Sequence, residues 1–559
     1  MMGLTQLVLV VGLGCGGQTT NEPAVEDPGP PPADLPDVVL ISLDTLRADR
    51  IGIYGYEKAA TQNIDALAAK GRVYGRTYSP LPLTIPSHGS IFTGQYPPTL
   101  QIRSNGAGRL EEERLTLAEI LQQNGYVTGG SVGAFVTTRT WGFNQGFDAF
   151  FDTIPQAKPN DFWHAERPAE KVIDDILDWK AEVGDQKPIF AWIHLYDAHF
   201  PYWPPKSYIE EVKGRPYDGE IAYLDDQLQR VFDAFARPTL FIIVGDHGEG
   251  LGEHLELTHG MYVYDTTQHV PLIISGPGVE AGVVEQPTSL VDIMPTVLSL
   301  LGLPAVPDLD GRVVPGDEPQ AVYMESYQLT QRFGLAPNLA VVDGNYKLLS
   351  LPKPELYDLI ADPEETKNLA EDKPSEVKRL QDLLDAFEFN PPYEDPAHPV
   401  EPDVAMQLQA LGYVEGGFTG DMSGPLPDPK DHADMVVDSQ RAERLIQEEK
   451  RDEAIELLNR LVKEYPEVIE FKSRLAMLYG IMGKMEESAD LLEAAVEQDP
   501  SNAMLRFTLG VHRARSNRYR EASILFRDAA EAMPFSPRAR TMAVAALLDA
   551  EDGREEAYE

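Results

Sequence analysis

Val38–Asp44, VVLISLD, is a run of aliphatic and β-branched residues, broken only by the small Ser42, that stops on an acid. A strand with one face on a core alternates apolar and polar residues. A run that is apolar throughout predicts a central parallel strand covered on both faces. In open sheets of that kind ligands gather beyond the carboxyl ends of the strands, so Asp44 stands where a functional acid is expected. Two further runs repeat the pattern: Pro188–Leu195, PIFAWIHL, leads into Asp197 and His199, and Thr239–Val244, TLFIIV, leads into the adjacent Asp246 and His247. Helical patterns over Thr61–Lys70, from about Leu115 to Asn124 and over Tyr217–Phe235 separate these strands, which makes the class α/β.

Pro82–Gly94, PLTIPSHGSIFTG, places Thr84, Ser87 and His88 within five residues, with Pro82 and Pro86 fixing φ on either side of Thr84. It reads as a nucleophile turn, followed by a short apolar stretch between Gly89 and Gly94 that packs behind it as a helix. A hydroxyl is a poor nucleophile until a base or a cation lowers its pKa, so the turn needs partners from elsewhere in the chain. Asp44, Asp246 and His247 at strand ends form a mixed oxygen and nitrogen set that suits one divalent ion. The set is compatible with Ca²⁺, Mg²⁺, Mn²⁺ or Zn²⁺. An imidazole at His199 can protonate a leaving group, and His259 sits in a glycine-bounded loop before the strand VPLIISGPG.

The chain has 559 residues, too many for one core, and a formal net charge of −43. So acidic a surface argues against nucleic acid or anionic lipid as a partner. Cys15 is the single cysteine, which excludes an intrachain disulfide. It follows LVLVVGLG and lies among small residues, an arrangement similar to a bacterial lipoprotein signal. The expectation is a signal peptide over 1–15, a lipid anchor on Cys15 as the sole membrane link, and export to the bacterial cell envelope. Residues 16–36 read as a flexible tether and 390–432, rich in Pro, Asp and Gly, as a linker that docks in part. Beyond it Pro466, Pro500 and Pro534 recur every 34 residues, with Ala454, Ser488 and Ala522 twelve before each. Over 433–559 this period resembles the tetratricopeptide repeat, an all-α solenoid whose concave face takes a peptide or protein partner.

VVLISLDTLRADRIGIYGY, LTIPSHGSIFTGQYP, VGDHGEGLGEH, VPLIISGPG and ELYDLIADPEETKNLA, in this order over about Asp37–Ala370, resemble the successive segments of the sulfatase family within the alkaline phosphatase superfamily. The resemblance implies an alkaline-phosphatase-like α/β/α sandwich with a large mixed sheet and a small C-terminal subdomain, over 37–389. It implies Asp44, Asp246, His247 and the Thr84 oxygen as metal ligands and Thr84 as nucleophile. His199 becomes the leaving-group acid, His88 takes the place of the family's substrate-binding Arg, and His259 contacts the ester oxygens. The motif also departs from the family. True sulfatases make a formylglycine from Cys or Ser in Cys/Ser-x-Pro-x-Arg, and Thr84 cannot yield one because its β-carbon carries a methyl. The second Asp usual in many sulfatases is missing, since Leu43 and Thr45 flank Asp44. The expectation is a metal-dependent hydrolase or transferase of phosphate, phosphodiester or sulfate esters with phosphorus esters favoured. The alternative is a catalytically weak ester-binding domain on a repeat scaffold.

Overall fold

Strand β1 (Asp37–Leu43) is the middle of the molecule: it pairs in parallel with β5 (Ile189–Leu195) on one side and β6 (Thr239–Gly245) on the other. The computed structural model describes residues 35–389 and 417–550, apart from 107, 156–165, 236, 317–319, 421, 423 and 533–536. The expected signal segment, Cys15 and most of the tether lie outside the described residues, as do 390–416 of the expected linker.

β2 (Arg72–Tyr78), β3 (Val127–Val132), β4 (Ala149–Phe151), β7 (His269–Ser275) and β8 (Gly282–Val284) extend the sheet in the order β4-β3-β5-β1-β6-β7-β2-β8. The short β9 (Thr288–Ser289) pairs with β2. β7 runs antiparallel to both β6 and β2, so the sheet is mixed. The burial explains the sequence pattern. Val38 and Leu40 point into the core formed by the helices Thr84–Thr93, Leu117–Gln123 and Ile293–Leu300, whereas Val39, Ile41 and Leu43 point into the core under Gln62–Ala68, Ala169–Val183 and Pro216–Ala234. Both faces are dry, and every residue of β1 is buried. Strands this apolar on two sides need helices above and below, which is the α/β/α sandwich.

A second sheet is antiparallel: β10 (Val322–Ser326), β11 (Asn338–Asp343), β12 (Tyr346–Ser350) and β13 (Glu355–Asp358), with the helix Pro374–Asp385 across it. This is the small C-terminal subdomain. From Ala433 to Asp549 the described chain is a run of helices, each packed on the next. Ala454, Ser488 and Ala522 are wholly buried and so let neighbouring helices close together. The array does not hang free. Met435, Leu458 and Phe471 share one core with Met324, Phe333 and Leu335, and Arg332 forms an ion pair of 2.6 Å with the buried Glu470. Residues 417–432 lie along the same seam, with Phe418 N donating to Gln331 O and Ala336 N to Pro427 O.

Candidate functional site

The register sets the site. Leu43 pairs with Leu195 and with Gly245, so the three parallel strands β5, β1 and β6 end level, and Asp44 and Asp246 emerge side by side. The Asp246 carboxylate is fixed through one oxygen: Oδ1 accepts from Thr45 N at 3.1 Å and from His247 N at 2.8 Å. Its Oδ2 and both oxygens of Asp44 are buried with no hydrogen-bond partner. His247 Nδ1 donates to Gly248 O at 3.0 Å, which leaves the Nε2 lone pair facing inward. That nitrogen lies 3.5 Å from Asp246 Oδ2, 4.0 Å from Asp44 Oδ1 and 3.5 Å from Thr84 Oγ1. Gly248 permits the tight path of this loop, because a Cβ there would meet Thr266 O at 2.1 Å.

One ligand atom from each of Asp44, Asp246 and His247 lies within 4.8 Å of the other two. Burial pushes Asp44 up to about 7 and also raises Asp246, whose neighbour Asp44 adds repulsion. Burial works against a charge on His247, but the two carboxylates outweigh it and hold its pKa above the ordinary value. Two buried acids with oxygens lacking donors, facing an imidazole lone pair, fit a divalent cation: its charge would satisfy all three.

Thr84 is not on a turn ahead of a helix, as the prolines predict; it is the first residue of the helix Thr84–Thr93 itself, after an extended Leu83. Pro86 is tolerated because it falls in the first turn, where backbone N–H groups have no helical acceptor. The Thr84 hydroxyl therefore sits at the positive end of a helix, beside the carboxylates. His88 follows one turn later. The structure corrects the expectation that it meets substrate. Its Nδ1 donates to Thr84 O at 2.9 Å and its Nε2 is held by Ser42 Oγ at 2.9 Å, which in turn accepts from Trp192 Nε1 at 3.0 Å. Burial, with His194 beside it, lowers its pKa to about 3. It is a neutral brace under the first turn of the helix that begins at Thr84.

Asp44, Thr84, Asp246 and His247 are fully buried, while His199 and His259 are partly exposed at the mouth. His199 Nδ1 donates to Phe200 O at 2.6 Å, and its Nε2 is left without a partner. Its ring lies 5.0 Å from that of His259, which lies 4.5 Å from that of His247. His259 Nδ1 meets Glu249 Oε1 at 2.9 Å. Burial pushes the Glu249 carboxyl up to about 8, and burial with His247 nearby holds His259 well below its usual value. Asp197 is turned away from the site, where it accepts from Ala169 N at the start of a helix.

The matches to known proteins follow the same boundaries. The family profile described as Sulfatase matches residues 36–303, and that described as N-sulphoglucosamine sulphohydrolase, C-terminal, matches 252–388. The chain belongs to the sulfatase family. The curated sulfatases it resembles include the Delta 4,5-hexuronate-2-O-sulfatase of Bacteroides thetaiotaomicron, 24% identical over 419 residues, covering 61% of this chain and 85% of that protein. The choline-sulfatase of Rhizobium meliloti is 25% identical over 442 residues, covering 63% and 85%. Among solved structures the fold matches a protein in complex with its substrate D-glucosamine-2-N,6-O-disulfate, with a TM-score of 0.54 at 18% identity over 63% of this chain and 97% of that one. It also matches the phosphonate monoester hydrolase of Agrobacterium radiobacter, with a TM-score of 0.52 at 21% identity over 62% and 95%.

Two residues of this sulfatase-family site escaped the sequence reading. Glu249 lies inside the quoted segment VGDHGEGLGEH, but only the fold shows that its carboxyl turns back onto His259. His194 sits within the apolar run of β5 and reads as core, yet its Nε2 approaches Asp44 Oδ2 to 3.3 Å.

Proposed function

We propose that this chain is a metal-dependent hydrolase of phosphoric or sulfuric esters, phosphorus esters preferred, with Thr84 as its nucleophile. One observation carries the proposal: Thr84 Oγ1, at a helix start, faces His247 Nε2 at 3.5 Å beside carboxylate oxygens that no protein donor satisfies. Asp44, Asp246, His247 and the Thr84 oxygen would hold the ion. When bound, a divalent ion supplies positive charge that acidifies the hydroxyl and offsets charge on the ester oxygens. Thr84 Oγ attacks phosphorus while its proton passes to the neighbouring Asp44 carboxylate. As the Oγ–P bond forms the ester P–O bond breaks, and the departing oxygen takes a proton from His199 Nε2. Water then attacks the phosphothreonine. His199 takes the water's proton, the Oγ–P bond breaks, and Thr84 recovers its own proton from Asp44. Burial and His259 depress His199 well below its usual pKa, so it gains the proton only beside the negative charge of a bound ester. His259, oriented by Glu249, faces the position of the ester oxygens, and His88 keeps the Thr84 turn in place.

The phosphorus preference rests on Thr84. A formylglycine hydrate has a second hydroxyl with which to expel sulfate, and a threonine does not. A covalent phosphate on Thr84 is open to direct attack by water. The test is turnover of nitrophenyl sulfate, phosphate, phosphodiester and phosphonate by the full chain with Mn²⁺ or Zn²⁺. Phosphorus esters turned over faster than sulfate are expected; faster sulfate overturns the preference. Inertness on all four favours the reading of an ester-binding module on a repeat scaffold. We place the protein in the bacterial envelope through a lipid on Cys15, with the solenoid as a tetratricopeptide-type surface for a protein partner. Cys15→Ala is then expected to release it from membranes.

A further inference from the structure

A cavity of about 930 Å³ opens on the same edge of the sheet as the Thr84 site, between the end of β2 and the start of β7. None of Asp44, Thr84, Asp246, His247, His199 and His259 lines it. Arg47, which does, donates from Nη1 to Glu249 O at 3.0 Å, so one residue's thickness separates the cavity from the His259 side of the site.

Its lining contains a buried cation with no acidic partner. Arg76 is 8% exposed, its Nη2 has no hydrogen-bond acceptor, and among the described residues no carboxylate lies within ion-pairing distance of it. Four acids of the cavity are already matched: Asp49, which is exposed, and Glu253 pair with Arg47 at 2.7 and 3.1 Å, and Asp265 and Glu365 both meet Lys347 Nζ, at 2.7 and 2.9 Å. Glu285 and Glu364 are exposed at the rim, where water screens them. Thr266 Oγ1 of the lining also has no hydrogen-bond partner, and Arg50 Nε, 3.6 Å from Asp49 Oδ1, is ion-paired but not hydrogen-bonded. A buried guanidinium with no paired carboxylate is costly, and donors that line one volume without a hydrogen-bond acceptor are what an anion with several oxygens satisfies.

We propose that this cavity is a second oxyanion site. It takes a tetrahedral sulfate or phosphate group, free or as an ester on a larger molecule, on Arg76 Nη2 with Arg50 Nε and Thr266 Oγ1. The site binds and does not react, so it is independent of the chemistry assigned to Thr84. Crystals of the full chain soaked in selenate give the direct test by anomalous scattering. A selenium peak within hydrogen-bonding distance of Arg76 Nη2 is expected; a peak beside Thr84 alone overturns the proposal. In equilibrium dialysis of the unsubstituted protein and of Thr84→Ala, sulfate or phosphate is expected to show a binding class that Arg76→Gln weakens at least about tenfold. D-Glucosamine 6-sulfate in the same dialysis separates the two sources. Binding of the sugar ester without inorganic sulfate assigns an ester group, binding of inorganic sulfate assigns the free anion, and binding of neither, or no effect of Arg76→Gln, overturns the site. Hydrolysis assays read Thr84 alone, so failure of that assignment leaves this result standing.

Discussion

Thr84 Oγ1 lies 3.5 Å from His247 Nε2 across a sequence separation of 163 residues. The helix start brings one and the end of β6 the other, so the contact is a product of the whole sheet. It predicts that Thr84→Ala lowers kcat/KM at least about a thousandfold, while Thr84→Ser, which keeps an oxygen at the same Cβ, retains measurable turnover. Steady-state kinetics on the best nitrophenyl ester decide it. Activity unchanged in Thr84→Ala removes threonine from the chemistry.

Metal affinity is expected to depend on pH in a definite direction. In the metal-free protein burial holds Asp44 at about 7 and raises Asp246 above its ordinary value, so the acids take up protons as pH falls, Asp44 from about neutrality. A cation must displace those protons, so its affinity falls as pH drops from 8 to 6. Elemental analysis at pH 8 is expected to find one divalent ion per chain. Because the ion binds only the folded state, chelation is expected to lower Tm in the native protein and not in Asp246→Asn. A Tm indifferent to chelator in the native protein contradicts the assignment.

His88 separates bracing from substrate contact. With both nitrogens held by Thr84 O and Ser42 Oγ, it has no free donor or acceptor to offer a substrate. His88→Ala takes the side-chain donor from Thr84 O and leaves the Ser42 hydroxyl proton without its acceptor, a cost of about 1–3 kcal/mol, and is expected to lower kcat and Tm with KM nearly unchanged. His88→Asn, with a shorter donor and acceptor, is expected to restore part of both. A KM raised tenfold at constant kcat returns His88 to the substrate.

The contrast between Asp44 and His88 shows what the sequence could carry. β1, β5 and β6 are apolar on both faces, a pattern with few competing explanations, and the acids that end them were found by position in the chain. Thr84 was found for its local turn chemistry, although the helix that begins on it was placed a few residues late; Pro86 reads as a break until the first helical turn is known to tolerate it. What stayed hidden depends on packing across the sheet. His88, Ser42 and Trp192 form one chain of hydrogen bonds from a helix to two strands, and His194 is a polar residue inside an apolar run. No local period records such contacts. The docking of the helical array was equally invisible, because the residues that meet lie on opposite sides of a linker.

That docking yields the last prediction. Glu470, wholly buried on the first face of the helical array, accepts from Arg332 of the catalytic half at 2.6 and 2.7 Å and from Arg474 at 2.9 Å. Burial raises its pKa, but the two guanidinium groups outweigh that and leave it below the ordinary glutamate value. A carboxyl depressed in the folded state adds stability that is present above its unfolded pKa and is lost as pH falls through the folded one. Acid is therefore expected to loosen the seam between the two halves before either half unfolds. Glu470→Ala leaves Arg332 and Arg474 without their shared acceptor in a dry interface, at a cost of about 3 kcal/mol or more. Limited proteolysis between the halves is expected to speed up in Glu470→Ala at neutral pH and in the native protein only below about pH 4, near the ordinary glutamate pKa. Equal cleavage rates for the two proteins at neutral pH mean that the apolar seam of Met435, Leu458 and Phe471 holds the array without the ion pair.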